Sequence, residues 1–183
     1  MLNRLLAFLI FLLLLPIFIF VSLAIFLEDG FPVFFIQKRV GVNYSFFQIY
    51  KFRSMKKNTP NVATHLLENP DDYLLKIGRI LRKLSLDELP NLVNIMRGEM
   101  VFVGPRPALY NQVDLMALRV VEGVDKLKPG ISGWAQVNGR DEISIEKKVA
   151  LEKEYLLRKS FWFDIRISVM TFGSVMRSEG VKH

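Results

Sequence analysis

From Leu5 to Leu27 the chain carries no charged residue, and these 23 positions are almost all aliphatic or phenylalanine. As a helix, a run of this length crosses the roughly 30 Å hydrocarbon layer of a bilayer. It reads as a retained membrane element rather than a cleaved export signal, whose apolar core runs to about 15 residues and ends at a small-residue cleavage site. Pro16 lies in the middle, where it removes a helix hydrogen bond and favours a kink. Two topologies stay open. Hydropathy alone favours a bent helix that spans the membrane. Charge favours a helix that turns back at Pro16, because Arg4 precedes the apolar run, the basic body follows it, and positive charge stays on the cytoplasmic side.

The whole chain has 183 residues, 51% of them hydrophobic, enough for one domain with apolar surface left for a second environment. A formal net charge of +7 calls for an anionic partner: nucleic acid, an acidic membrane surface or a phosphorylated substrate. Cysteine is absent, which excludes disulfides, thiolate nucleophiles and cysteine-bound metals. Histidine occurs only at 65 and 183, so neither a zinc-binding histidine cluster nor a Ser-His-Asp hydrolase can be built, and no GxSxG turn is found. An enzyme made from this chain would use a carboxylate as nucleophile or base.

Beyond Glu28-Asp29-Gly30, the runs Val33–Gln37 and Phe46–Tyr50 have strand character, and Gly41–Asn43 between them predicts a hairpin turn. The stretch 58–72, with Pro60 and Pro70, reads as a loop, with helix starting near Asp71. Helical periodicity follows over Tyr73–Lys83, Asp87–Met96 and Ser144–Arg158. In the third, Ile145, Val149 and Leu156 share a face and Glu154 faces Arg158. The blocks Gly98–Pro107 and Lys128–Arg140 look irregular, and such loops on a helical scaffold commonly carry sites. A last apolar helix, Phe161–Met176, holds Asp164 and Arg166; it fits either a helix lying on a membrane surface or an ordinary half-buried one.

The segment Ser85-Leu-Asp-Glu88 places two carboxylates side by side, near Arg79, Arg82 and Lys83. One reading is structural: the S-x-x-E spacing is that of a capping box, with Ser85 capping a helix and Glu88 reaching back to the Ser85 amide. The other is chemical. Neighbouring residues in a first helical turn point in different directions, so Asp87 can attack while Glu88 binds a metal. Arginines beside a helix start suit phosphate oxygens, and magnesium needs only one or two carboxylates. Gly104-Pro-Arg-Pro107 reads as a rigid loop, either presenting Arg106 to phosphate or simply turning the chain. Pro129–Arg140 gathers Trp134, Gln136, Asn138 and Arg140, suited to stacking a base and binding hydroxyls, or to packing as a surface loop.

Together, Tyr50-Lys-Phe-Arg-Ser-Met55, Leu84-Ser-Leu-Asp-Glu-Leu89, Phe102-Val-Gly-Pro-Arg-Pro107 and Pro129-Gly-Ile-Ser-Gly-Trp-Ala-Gln-Val-Asn-Gly-Arg140 stand in one order behind an apolar N-terminal segment. In this they resemble the bacterial sugar transferases, the small monotopic phosphoglycosyl transferases. The resemblance covers nearly the whole chain and looks like the minimal catalytic form, without the extra transmembrane helices of larger relatives.

The resemblance implies a mostly helical α+β fold with a re-entrant membrane helix, a small β-hairpin and amphipathic helices at the membrane surface. Residues 1–28 would be the membrane-inserted helix, broken at Pro16, and 29–183 a catalytic domain on the cytoplasmic face of the bacterial inner membrane. It implies transfer of a phosphosugar from a UDP-sugar to polyprenyl phosphate, with release of UMP, to begin glycoconjugate synthesis. Asp87 would attack the β-phosphate and form a covalent aspartyl intermediate. Glu88 would hold Mg2+, and Arg82 and Arg106 would engage phosphate. Lys51, Gln136, Asn138 and Arg140 fall inside family motifs as substrate contacts, and Asp164 is expected to partner one of the arginines. Two departures stand out: Leu15-Pro16 replaces the family's Ser-Pro pair at the helix break, and Asn3-Arg4 stands where relatives usually carry a basic pair and an aspartate.

A reading from a different class is a non-catalytic adaptor whose basic face binds anionic lipid headgroups while the carboxylates only cap a helix. Nucleic-acid binding fits less well, since the basic residues are dispersed behind a membrane segment. The sugar depends on a few hydroxyl or acetamido contacts that the sequence does not place.

Overall fold

The computed structural model describes residues 1–60, 69–139 and 143–177, and these are mostly helical with two small sheets. The first helix, α1 (Leu2–Asp29), continues through Pro16, which leaves out one backbone hydrogen bond. It is long and apolar enough to cross a membrane. Its stripe Ala7, Ile10, Phe11, Leu14, Phe18, Val21 and Ile25, at three- and four-residue intervals, packs onto the body over nearly its whole length. Phe18 meets Phe52 with ring centroids 5.2 Å apart. The opposite face, including Leu9, Leu13, Phe20 and Leu27, is exposed.

Both ends of α1 are tied to the same body. Arg4 lies so close over Gly98 that a Cβ there would overlap its guanidinium. At the other end the Glu28 carboxylate accepts from the amides of Lys76 (2.6 Å) and Ile77 (3.2 Å), while buried Arg53 binds the Asp29 carboxylate.

The predicted hairpin forms from β1 (Phe34–Val40) and β2 (Phe46–Phe52), paired antiparallel from Phe34↔Phe52 to Val40↔Phe46. Its turn is a 3-10 turn at Val42–Tyr44. Helix does not start at Asp71. A 3-10 turn at Pro70–Tyr73 ends where Leu74 bridges Met55 and the Leu75 amide bonds to the Ser54 carbonyl, so α2 spans only Lys76–Lys83. Gly78 sits on that same carbonyl with no room for a side chain.

The next helix is also later than expected. Leu86–Glu88 is a 3-10 turn, and α3 (Asn91–Arg97) starts after Pro90 and closes at Gly98 with φ 82°. Ser85 caps nothing with its side chain: it is left-handed (φ 54°) at the end of α2, and the Glu88 carboxylate is engaged elsewhere, so the capping box does not form.

The two irregular blocks hold short strands, β3 (Val101–Val103) and β4 (Gly130–Ser132), paired in parallel. Gly104, just past β3, and Gly130, the first residue of β4, meet backbone to backbone, each closer to the other segment than a Cβ would allow. Between them lies α4 (Val113–Val121); after β4 come α5 (Trp134–Val137), α6 (Ile145–Arg158, capped by Ser144) and α7 (Phe161–Arg177). On α6, Val149 is buried and Glu154 pairs with Arg158 as read, but Ile145 is exposed. On α7, Phe163 and Ile167 are buried with Trp134 and Tyr155, while Phe161, Trp162, Val169 and Phe172 face outward.

Candidate active site

Four segments converge on the Asp87–Glu88 turn. Asn94 holds α3 to β2: its amide nitrogen donates to the Gln48 carbonyl (2.6 Å), and its oxygen accepts from the Tyr50 amide (3.3 Å). That contact sets the turn preceding α3 beside Lys51, whose Nζ donates to Glu88 Oε1 at 2.6 Å. From the Gly104-Pro-Arg-Pro107 loop, Arg106 Nη1 reaches the same oxygen at 3.3 Å. From α2, half-buried Arg82 donates to Ser54 Oγ at 3.0 Å, near enough to Asp87 for its charge to act on that carboxylate.

The two carboxyls shift in opposite directions. Burial pushes Asp87 up, the neighbouring Glu88 charge adds to this, and Lys51, Arg82 and Arg106 offset only part of it. Burial would raise Glu88 too, but the charges and hydrogen bonds of Lys51 and Arg106 outweigh it and hold Glu88 at about 2. The turn therefore presents one carboxylate locked in its ionised form beside one whose charge is poorly solvated, a combination suited to phosphoryl chemistry.

Next to the turn a shallow cavity opens between Glu88, Lys51 and Arg106, with Ile131 of β4 and Asn91 of α3 also on its wall. Asn91 is 3% exposed, and its Oδ1 has no hydrogen-bond partner among the described residues. Arg39 of β1 also lines the cavity and donates to the Pro107 carbonyl at 3.0 Å. Sequence reading passed over both. Asn91 lies three residues past Glu88, a spacing that brings side chains to one side of a helical turn and was the available signal. Arg39 had none, because its role depends on a contact 68 residues away.

The third block behaves differently. Trp134 is 9% exposed, packs on Phe163 with centroids 5.0 Å apart and donates to Glu154 at 2.9 Å, so it is a core residue rather than a platform for a base. Gln136 donates to the Ile131 carbonyl (3.0 Å) behind the cavity, and Asn138, which closes α5, to the Trp134 carbonyl (2.8 Å); neither hydrogen-bonds the carboxylate pair among the described contacts. Arg140 lies outside the described residues. Asp164 does not partner an arginine among the described contacts: it lies 2.8 Å from the Tyr155 hydroxyl, which also approaches the Val103 carbonyl at 3.0 Å.

Asp87, Glu88, Lys51, Arg82 and Arg106 are thus gathered around one turn. The family model described as bacterial sugar transferase matches residues 1–178. The chain belongs to the bacterial sugar transferase family. It is 43% identical over 157 residues to the uncharacterized sugar transferase EpsL of Bacillus subtilis, covering 85% of this chain and 76% of that one. It is 41% identical over 177 residues to the UDP-glucose:undecaprenyl-phosphate glucose-1-phosphate transferase of Escherichia coli, covering 91% of this chain. The undecaprenyl-phosphate galactose phosphotransferase of Salmonella typhimurium is 36% identical over 171 residues, 84% of this chain. Of the last two proteins the match spans only 37% and 35% of the length.

In this bacterial sugar transferase no group of three or more His, Cys, Asp or Glu side chains gathers among the described residues. Two adjacent carboxylates next to a cavity do fit magnesium, which takes one or two carboxylates and completes its shell with water and substrate phosphate.

Proposed function

We propose that this sugar transferase moves a sugar phosphate from a UDP-sugar to polyprenyl phosphate at the cytoplasmic face of the bacterial inner membrane. The observation that carries the reading is the Asp87–Glu88 turn ringed by Lys51, Arg82 and Arg106, since a UDP-sugar brings two phosphates and both steps of the transfer take place on phosphorus. Asp87 attacks the β-phosphorus; the bond from that phosphorus to the oxygen bridging the two phosphates breaks, and UMP leaves with the electron pair. A terminal oxygen of polyprenyl phosphate then attacks the same phosphorus, releases the Asp87 carboxylate and leaves a polyprenyl diphosphate sugar.

Arg82 and Arg106 bind the diphosphate, and Lys51 moves with Arg106 from Glu88 to phosphate oxygens as the donor enters. Glu88, so released, is the residue that would hold magnesium, which when bound neutralises diphosphate charge. Gln136 and Asn138 support the loop behind the donor, and Arg140 is assigned to the donor by its motif alone. α1 continues through Pro16, and two facts favour an arrangement with both its ends on one side of the membrane: both sit on one body, and the stripe from Ala7 to Ile25 never leaves it. Its exposed apolar face then lies in one leaflet, with outward Phe161 and Trp162 of α7 at the interface.

The test is intact-protein mass of the detergent-purified chain mixed with Mg2+ and UDP-glucose, UDP-galactose or UDP-N-acetylgalactosamine, with UMP release followed in parallel. A phosphosugar adduct on wild type that Asp87→Asn lacks is the expected result. UMP release that requires polyprenyl phosphate, with no adduct, would point to direct transfer. Folded protein that gives neither would favour the lipid-binding adaptor.

A further inference from the structure

Arg106 lies between two prolines, so the chain around it lacks two backbone donors. Its carbonyls carry much of the anchoring. Four in succession are occupied: Pro105 accepts from the Gly130 amide (2.9 Å), Arg106 from Arg119 Nη2 (2.9 Å), Pro107 from Arg39 Nη1 (3.0 Å) and Ala108 from the Val40 amide (2.9 Å).

The Arg119 contact is unlike the others. Arg119 on α4 is 5% exposed and pairs through Nε (2.7 Å) and Nη2 with Glu152 on α6, which is 2% exposed. A buried pair of this kind gains little over apolar packing once desolvation is counted. Here, however, the fork of the guanidinium binds the carboxylate with one edge and still places a donor on the backbone of the residue whose side chain reaches Glu88.

We propose that Arg119 and Glu152 are positioning residues that fix Arg106 for the donor phosphates, a role that rests on the phosphoglycosyl reading of the site. They touch neither donor nor acceptor and act only through the Arg106 backbone.

Removing one partner strands a buried charge, so the informative variant replaces both, Arg119→Met with Glu152→Leu, in the full-length chain in detergent. Hydrogen exchange over 104–112 and over the β1–β2 hairpin is compared with wild type, together with kcat/KM for the UDP-sugar that wild type turns over. The proposal expects an unchanged melting temperature, exchange at least about tenfold faster in 104–112 but not in the hairpin, and kcat/KM about tenfold lower. On an Arg106→Ala background the same pair of changes should cost less than about twofold, because the effect passes through Arg106. Unchanged loop exchange, or losses that multiply with Arg106→Ala, would overturn it. If wild type turns over none of the three donors, the phosphoglycosyl reading falls, and loop exchange alone decides whether the pair holds the loop.

Discussion

Lys51 Nζ, near the end of β2, lies 2.6 Å from Glu88 Oε1 on the turn before α3, and this contact separates the behaviour of two adjacent carboxyls. Glu88 is held ionised down to about 2, while Asp87, one residue earlier, is pushed above its ordinary value by burial and by the Glu88 charge. As pH falls, Asp87 takes up a proton first.

The Lys51 contact should therefore appear in acid stability. A carboxyl depressed from 4.5 to about 2 contributes stability that is complete above about pH 5 and is lost as pH falls toward 2. Asp87, being raised, acts in the opposite sense and is relieved by acid. Lys51→Met should lower the unfolding free energy at pH 7 by roughly 2–3 kcal/mol. Denaturant titrations in EDTA should show that deficit shrinking by about half or more at pH 3. A deficit constant across this range would mean Lys51 matters only for packing.

Asp87→Asn should abolish turnover, by on the order of 10^4-fold or more if Asp87 is the nucleophile. It also removes a poorly solvated charge next to Glu88, so the variant should melt at or above the wild-type temperature. Thermal melts alongside UMP release separate this from a structural residue, whose loss lowers both.

Tyr155 is buried, and its hydroxyl has one proton to share between Asp164 and the Val103 carbonyl. Tyr155→Phe leaves the ring in place beside Phe163 but strands those acceptors, which should cost about 1–2 kcal/mol in denaturant unfolding. The order of preference among UDP-sugars should not change, because Tyr155 joins α6 to α7 and β3 within the core and is not on the wall of the cavity beside Glu88.

What the sequence showed and what it hid follow from contact range. The hairpin was legible because glycine and asparagine separate two aromatic runs, and Asp87, Glu88, Lys51, Arg82 and Arg106 were legible because they sit in local motifs. Strands β3 and β4 were not: three residues each give no periodicity, and only their pairing defines them. Arg119 and Glu152 look like surface charges on α4 and α6 until the fold brings them together across 33 residues. For Trp134 the local pattern leaves base stacking and packing both open, since a tryptophan among glycines suits either, and only the contact with Phe163 decides for packing. The Ser85–Glu88 spacing matched a capping box, yet a left-handed Ser85 and the pull of Lys51 gave Glu88 another partner.

The topology of α1 can be tested cleanly because the chain has no cysteine of its own. Single replacements Asn3→Cys, ahead of the apolar run, and Asp72→Cys, on the body, introduce one exposed thiol each. A spanning helix puts these thiols on opposite sides of the membrane, whereas a returning helix puts both in the cytoplasm. Arg4 lies over Gly98 and Glu28 binds the start of α2, so both ends of α1 reach one body, which suits the second arrangement. A membrane-impermeant maleimide should accordingly label neither variant in intact cells and both in inverted membrane vesicles. Labelling of Asn3→Cys from outside intact cells would establish a spanning helix, and the Arg4–Gly98 contact could then not exist in the membrane. If the returning arrangement holds, Arg4→Ala should loosen the N-terminal end, and labelling of Asn3→Cys in inverted membrane vesicles should become faster as that end leaves the body, while intact cells stay unlabelled.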